Sequence, residues 1–168
     1  ALDACTTGTQ NVAVGYNALS TSVAGNYQTA VGYQALANAN YTANVYAYNT
    51  AVGWNAGVAN TTGKVTAVGA AALTSNTTGI NNAAFGGATD AGGAALEANT
   101  TGSYNTAFGY SALRTSTTAG DNTAFGASAL SATTGAFNTG VGRQALEVCT
   151  TGTYNTALGY YAGRTMTT

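Results

Sequence analysis

The sequence predicts an all-β fold: a parallel β-solenoid (a β-roll) of nine coils, each of about 17 residues. Three observations carry this. The phrase Asn-Thr-Ala-x-Gly-x-x-Ala-Leu recurs along the whole chain. Within it, larger and smaller residues alternate with the period of two that marks a strand. Glycine falls twice in nearly every copy, which would break any long helix.

Each copy can be anchored on its central glycine: Gly15, Gly32, Gly53, Gly69, Gly86, Gly109, Gly126, Gly142 and Gly159. Successive spacings are 17, 21, 16, 17, 23, 17, 16 and 17. A period of 17 fits neither a heptad nor an 11-residue helical repeat. It fits one stacked coil per copy, so residues 1–168 read as one continuous array. The two long spacings are insertions at about 37–48 and 87–94, expected in surface loops because the phrase resumes in register after each.

Every position of the phrase has its own character. One residue before the anchor stand Val14, Val31, Val52, Val68, Phe85, Phe108, Phe125, Val141 and Leu158, all apolar. Two before it stand Ala13, Ala30, Ala51, Ala67, Ala84, Ala107, Ala124, Gly140 and Ala157, all small. Thr dominates three before and Asn four before. Thr, Val and the following Tyr therefore share one strand face, while Asn, Ala and Gly share the other. The larger face is expected to fill the coil. The small face is expected outside, where another backbone can approach closely. Glycine serves the turns.

Stacking at ~4.8 Å makes nine coils a rod about 43 Å long. So narrow a coil has room for one Val or Phe, plus a leucine such as Leu19, Leu36, Leu73, Leu113, Leu130 or Leu146. That core is thin for a lone rod, and oligomerisation is the natural remedy.

Composition narrows function. The 168 residues include only four basic and five acidic side chains, and no His or Pro. Four scattered cations (Lys64, Arg114, Arg143 and Arg164) cannot neutralise a row of phosphates, which argues against nucleic-acid binding. Without His, the commonest general base and metal ligand is missing, and no Ser-His-Asp or Cys-His set can form. No run approaches the ~18 apolar residues of a spanning helix, so membrane insertion is not expected. The chain opens at Ala1 and reads as a processed product or an excerpt. Disorder is disfavoured by 45% hydrophobic residues placed at regular intervals.

The run Tyr27-Gln28-Thr29-Ala30-Val31-Gly32-Tyr33-Gln34-Ala35-Leu36 resembles the head repeats of trimeric (YadA-like) autotransporter adhesins, and still more the repeats of phage tail fibres. The resemblance covers nearly the whole chain. It implies a homotrimer of parallel β-rolls around a common axis, and an extracellular, cell-surface or virion appendage. The small face from Ala13 to Ala157 would then meet the other two chains. Two features depart from the adhesins: their repeat is shorter, and these residues contain no coiled-coil stalk or anchor. The chain is thus the repeat part alone, or it assembles differently.

Cys5 and Cys149 each stand ten residues before an anchor, in the shared phrase Cys-Thr-Thr-Gly-Thr. Eight coils separate them, roughly 38 Å, too far for an intrachain disulfide. Head-to-tail stacking would bring Cys149 of one chain to one coil from Cys5 of the next, a candidate intersubunit disulfide. The alternative is two free thiols that share a phase by coincidence.

Tyr16, Tyr33, Trp54, Tyr110 and Tyr160 follow their anchors and form a candidate aromatic stripe. It serves either to bind glycans or to stack coil on coil. The Asn phase (Asn11, Asn49, Asn105, Asn122, Asn138, Asn155) suits amide ladders between coils. Asp90, in the longest insertion, is a weak metal candidate, because the other carboxylates (Asp3, Glu97, Asp121, Glu147) do not recur by phase. Four sequons begin at Asn40, Asn60, Asn76 and Asn99.

The expected function is therefore a structural and adhesive fibre or filament subunit, self-assembling and without catalysis, cofactor or metal. Its partners would be itself and a cell-surface glycan or protein receptor. The alternatives are an ice-binding solenoid displaying its Thr rows, and a glycan-binding one.

Overall fold

The computed structural model describes residues 1–43, 45–88 and 92–166. It is all-β, with no helix among these residues. The strands are β1 (Val12–Val14), β2 (Gly25–Asn26), β3 (Thr29–Val31), β4 (Val45–Tyr46), β5 (Thr50–Val52), β6 (Val65–Val68), β7 (Asn82–Phe85), β8 (Thr106–Phe108), β9 (Thr123–Phe125), β10 (Thr139–Val141) and β11 (Thr156–Leu158). Nine of them form one parallel sheet in the order β1-β3-β5-β6-β7-β8-β9-β10-β11, and β2 pairs with β4. Nine rungs are thus joined by eight turns of a solenoid. The register keeps the phases of the repeat: Ala107 stands beside Ala84 and Ala124, and Phe108 beside Phe85 and Phe125. Hydrogen bonding continues around the coil beyond the strands, as where Leu36 N–H donates to the Ala56 carbonyl at 3.0 Å.

The faces are oriented opposite to the expectation. From Ala30 to Ala124 the alanines two before each anchor are fully buried inside the coil, and Gly140 is buried with them. Ala13 and Ala157, on the first and last rungs, are partly buried against the same core. Val, Phe and Leu one before the anchor point outward: Phe125 is 53% exposed and Leu158 78%. The small row is therefore the lining of the coil and not a surface for other chains. The physical reason is width. Eight coils bury a second alanine (Ala18 to Ala145) and seven of them a leucine (Leu19 to Leu146, including Leu96), and no room remains for a third large side chain. Even a Cβ at Gly140 would lie 3.2 Å from Leu130 Cγ.

The corners turn through left-handed residues, most of them not glycine. The buried leucines of seven coils have φ of 50–52°. Residues five before the anchor do the same in eight coils, among them Tyr27, Tyr48, Tyr104 and Tyr154. A left-handed non-glycine residue costs about 1–2 kcal/mol. Burying a leucine returns about 1.5–3 kcal/mol, so the corner survives where its side chain enters the core. The anchors themselves need glycine for a second reason. A Cβ at Gly15 would lie 2.5 Å from the Gly32 carbonyl oxygen, because successive anchors stack backbone on backbone.

Two polar ladders complete the interior. In the first, each Asn four before the anchor accepts a backbone N–H from the next coil: Asn82 Oδ1 from Asn105 at 2.9 Å, and Asn122 Oδ1 from Asn138 at 2.9 Å. Their amides donate to turn carbonyls, as Asn122 does to Gly135 at 3.0 Å. In the second, Asn76 donates to Asn60 Oδ1 at 2.9 Å and Asn99 donates to Asn76 Oδ1 at 2.7 Å. Both ladders satisfy groups that would otherwise be buried without partners. Asn60, Asn76 and Asn99 are fully buried, so three of the four sequons are closed to modification in the folded chain.

The first insertion is not wholly a surface loop. Tyr41 turns into the core, where its hydroxyl donates to the Gly63 carbonyl at 2.7 Å and accepts from Asn49 Nδ2 at 2.8 Å. Ala39 of this coil occupies the phase of Asn60, and the Tyr41 hydroxyl links the Asn49 amide to the Gly63 carbonyl, which also accepts from Asn60 Nδ2 at 2.9 Å. Within the second insertion, Asp90 lies outside the described residues.

Candidate functional site

The largest unsatisfied feature is the outer face of the nine-stranded sheet. Alternation sends positions three before and one before each anchor outward together. Between them they place a row of Thr (Thr29, Thr50, Thr66, Thr106, Thr123, Thr139 and Thr156, with Val12 and Ala83) beside the row from Val14 to Leu158. Val14 is 57% exposed, Phe108 46% and the rest half-buried or exposed. Eight steps of ~4.8 Å make this apolar stripe about 38 Å long. Neither row contains a charged residue. At its centre the rings stack, Phe85 on Phe108 at 5.3 Å and Phe108 on Phe125 at 4.8 Å between centroids. Continuous exposed apolar surface of this kind marks a contact site.

Aromatic columns run along both borders of the stripe. One is the predicted set Tyr16, Tyr33, Trp54, Tyr110 and Tyr160, all of them exposed. Tyr16 and Tyr33 stack at 5.3 Å and 15°, which covers one face of each ring. Tyr160 instead packs against Tyr161 at 57°, and Tyr110 has its ring against Gly93. The five do not form one continuous ladder.

The other border was not singled out in the sequence. It consists of the left-handed corner residues, including Tyr27, Tyr48, Tyr104, Phe137 and Tyr154. Phe137 and Tyr154 stack at 4.8 Å, and Tyr27 and Tyr48 at 5.4 Å, with Tyr46 of the first insertion packed against both. The repeat phase five before the anchor was the available signal. It mixes Tyr and Phe with Gln, Lys, Asn and Asp, which hides the column.

Cys5 and Cys149 are both free, in the same phase and at opposite ends. Cys149 is fully buried, with Asn155 Nδ2 at 3.6 Å from its sulfur. Met166 occupies the same phase one rung on, so a bond from Cys149 to another chain requires that last turn to open. Charge is sparse: Arg164 pairs with Glu147 at 2.6 Å, and the hydrogen bond from Gln144, followed by that from Arg164, holds the Glu147 carboxyl below its ordinary range. Burial raises the Tyr41 hydroxyl above the usual tyrosine value. No group of three or more His, Cys, Asp or Glu able to hold a metal occurs among the described residues.

Comparison with protein-family models, with curated proteins and with solved structures finds no match to this chain.

Proposed function

We propose that the chain is a structural and adhesive subunit of an extracellular fibre, a cell-surface or virion appendage, that assembles through the outer face of its sheet and performs no catalysis. The observation that supports this is the uncharged apolar stripe from Val14 to Leu158. A second copy is the partner that fits it best, because only another rod of this chain repeats its knobs at the same ~4.8 Å step along the full length. The resemblance to adhesin heads makes the assembly a homotrimer with the stripes facing a common axis. A trimer built this way uses the large face of the strands, since the small face is already consumed inside each coil.

Native mass spectrometry with and without reductant tests the reading. A discrete species of three times 16.5 kDa in both conditions is the expected result. A monomer at micromolar concentration would overturn it. A ladder of masses that collapses on reduction would favour the head-to-tail filament through Cys5 and Cys149.

One observation favours a second reading, an ice-binding surface: the outward Thr row stands in register over seven of nine rungs. The adjacent rings of Phe85, Phe108 and Phe125 interrupt its flatness. Thermal hysteresis from the isolated chain, with no oligomer in native mass spectra, would establish ice binding over the fibre.

A further inference from the structure

We propose that the cleft beside Tyr48 binds an acidic sugar unit of a polysaccharide; this rests on the adhesive reading and gives the fibre a ligand class. In a column of stacked rings, each face is covered by the next ring, and sugars, which pack on faces, find only edges. The column five before the anchor is broken at Lys64 and Asn81 and again at Asp121, and only the first break carries a cation. Tyr27 covers one face of Tyr48 from the rung before. The following rung carries Lys64 in that phase, and the one after it carries Asn81. The other face of Tyr48 therefore opens onto a cleft of about 370 Å³, lined also by Lys64, Thr66 and Asn81.

The lining has the parts that a charged sugar requires. Tyr48 offers an aromatic face to the C–H side of a pyranose ring, and it is held from behind by Tyr27 and Tyr46. Asn81 supplies an exposed amide for ring hydroxyls. Lys64 is the only lysine of the chain, and it pairs with no carboxylate among the described residues. Its ammonium lies 5.8 Å from the centre of the Tyr48 ring, over the uncovered face. A sugar laid on that ring would bring a carboxylate substituent within reach of the ammonium. No acidic side chain lines the cleft to oppose it. Recognition thus points to a uronic-acid type of unit in preference to a neutral hexose.

The test is a calorimetric titration of the full chain with a galacturonic acid trisaccharide, beside its methyl ester, which keeps the shape and removes the charge. The expected result is saturable binding of the acid, weakened about tenfold or more in the ester and in Lys64→Gln, because a charge-assisted contact is lost. Tyr48→Ala is expected to weaken it at least as much, while Tyr48→Phe retains it. The site is overturned by absence of saturable binding, by equal binding of the ester, or by inorganic sulfate competing as well as the sugar acid. Native mass is recorded on the same samples. An intact oligomer that fails to bind removes this site and leaves the fibre standing; a monomer that binds removes the trimer and leaves the site.

Discussion

The two faces of the nine-stranded sheet belong to the same residues in the same strands, yet they treat side-chain size in opposite ways. Inward, every position two before an anchor is alanine or glycine. Outward, the next position moves freely among Val, Phe and Leu. An interior bounded by a coil of 17 residues has a fixed width, and any added methylene meets backbone or leucine. An outer surface has no such limit. Uniform smallness is therefore the mark of the inside in this chain, and variation among large apolar residues is the mark of the outside.

Substituting neighbours of one strand separates the two faces most sharply. Ala107→Phe places a ring where no space exists, and strain beyond the ~1–3 kcal/mol of ordinary overpacking should abolish the folded state, read as loss of β-sheet circular dichroism. Phe108→Asp, one residue on, should instead leave that spectrum intact and abolish the oligomer in native mass spectra. Its intrachain cost is about 1–2 kcal/mol from two lost ring stacks. If the two outcomes were exchanged, the assignment of inside and outside would be wrong.

Within the interior, Leu113→Ala should cost about 2–5 kcal/mol in denaturant melts, as for other buried leucines. Tyr41→Phe should cost about 0.5–1.5 kcal/mol, because the Gly63 carbonyl and the Asn49 amide lose their shared hydroxyl but keep Asn60 Nδ2 and Gln28 Oε1. The same variant sharpens the role of burial in alkali. The folded Tyr41 keeps its proton above the ordinary value of 10.0, whereas the unfolded chain releases it there. The unfolded state then binds fewer protons, so this contribution is complete below pH 10 and declines as pH rises through the folded value. Tyr41→Phe should melt with a shallower alkaline decline than the parent.

The smallest effect concerns the second Asn ladder, which stops at Ser116. Asn99 Oδ1 has no partner there, and Ser116 is too short to supply one. Ser116→Asn alone should gain nothing, because an asparagine in this phase needs a glycine three residues on; a Cβ at Gly63 would lie 2.5 Å from Asn60 Oδ1. Ser116→Asn with Ala119→Gly should gain about 1 kcal/mol over the single variant in thermal melts.

The sequence made the array legible because backbone stacking leaves a periodic trace. Each anchor glycine is required by its neighbour, and the nine anchors predict the nine strands, their order and their register. It could not say which face turned inward, since a period of two defines two faces without naming either. Nor did it show the corners. Leucine and tyrosine are poor left-handed residues by local preference, so Leu113 and Tyr48 carry no turn signature. Their conformation is imposed by stacking. The aromatic border at Tyr48 was missed for that reason, while of the stripe Tyr16, Tyr33, Trp54, Tyr110 and Tyr160 only Tyr16 and Tyr33 stack on each other.

The left-handed leucines also bear on how such a rod comes into being. One coil alone would hold its corner leucine in an unfavourable conformation without neighbours to bury it. Strain is met at every turn, whereas relief comes only when the next turn closes over it. Folding should then behave as a one-dimensional chain with a costly first step and easy extension, in which a few contiguous coils must form together before any persists. Unfolding of a completed rod should start at its ends, where relief is halved, and leave the middle coils as the last to exchange their amide hydrogens.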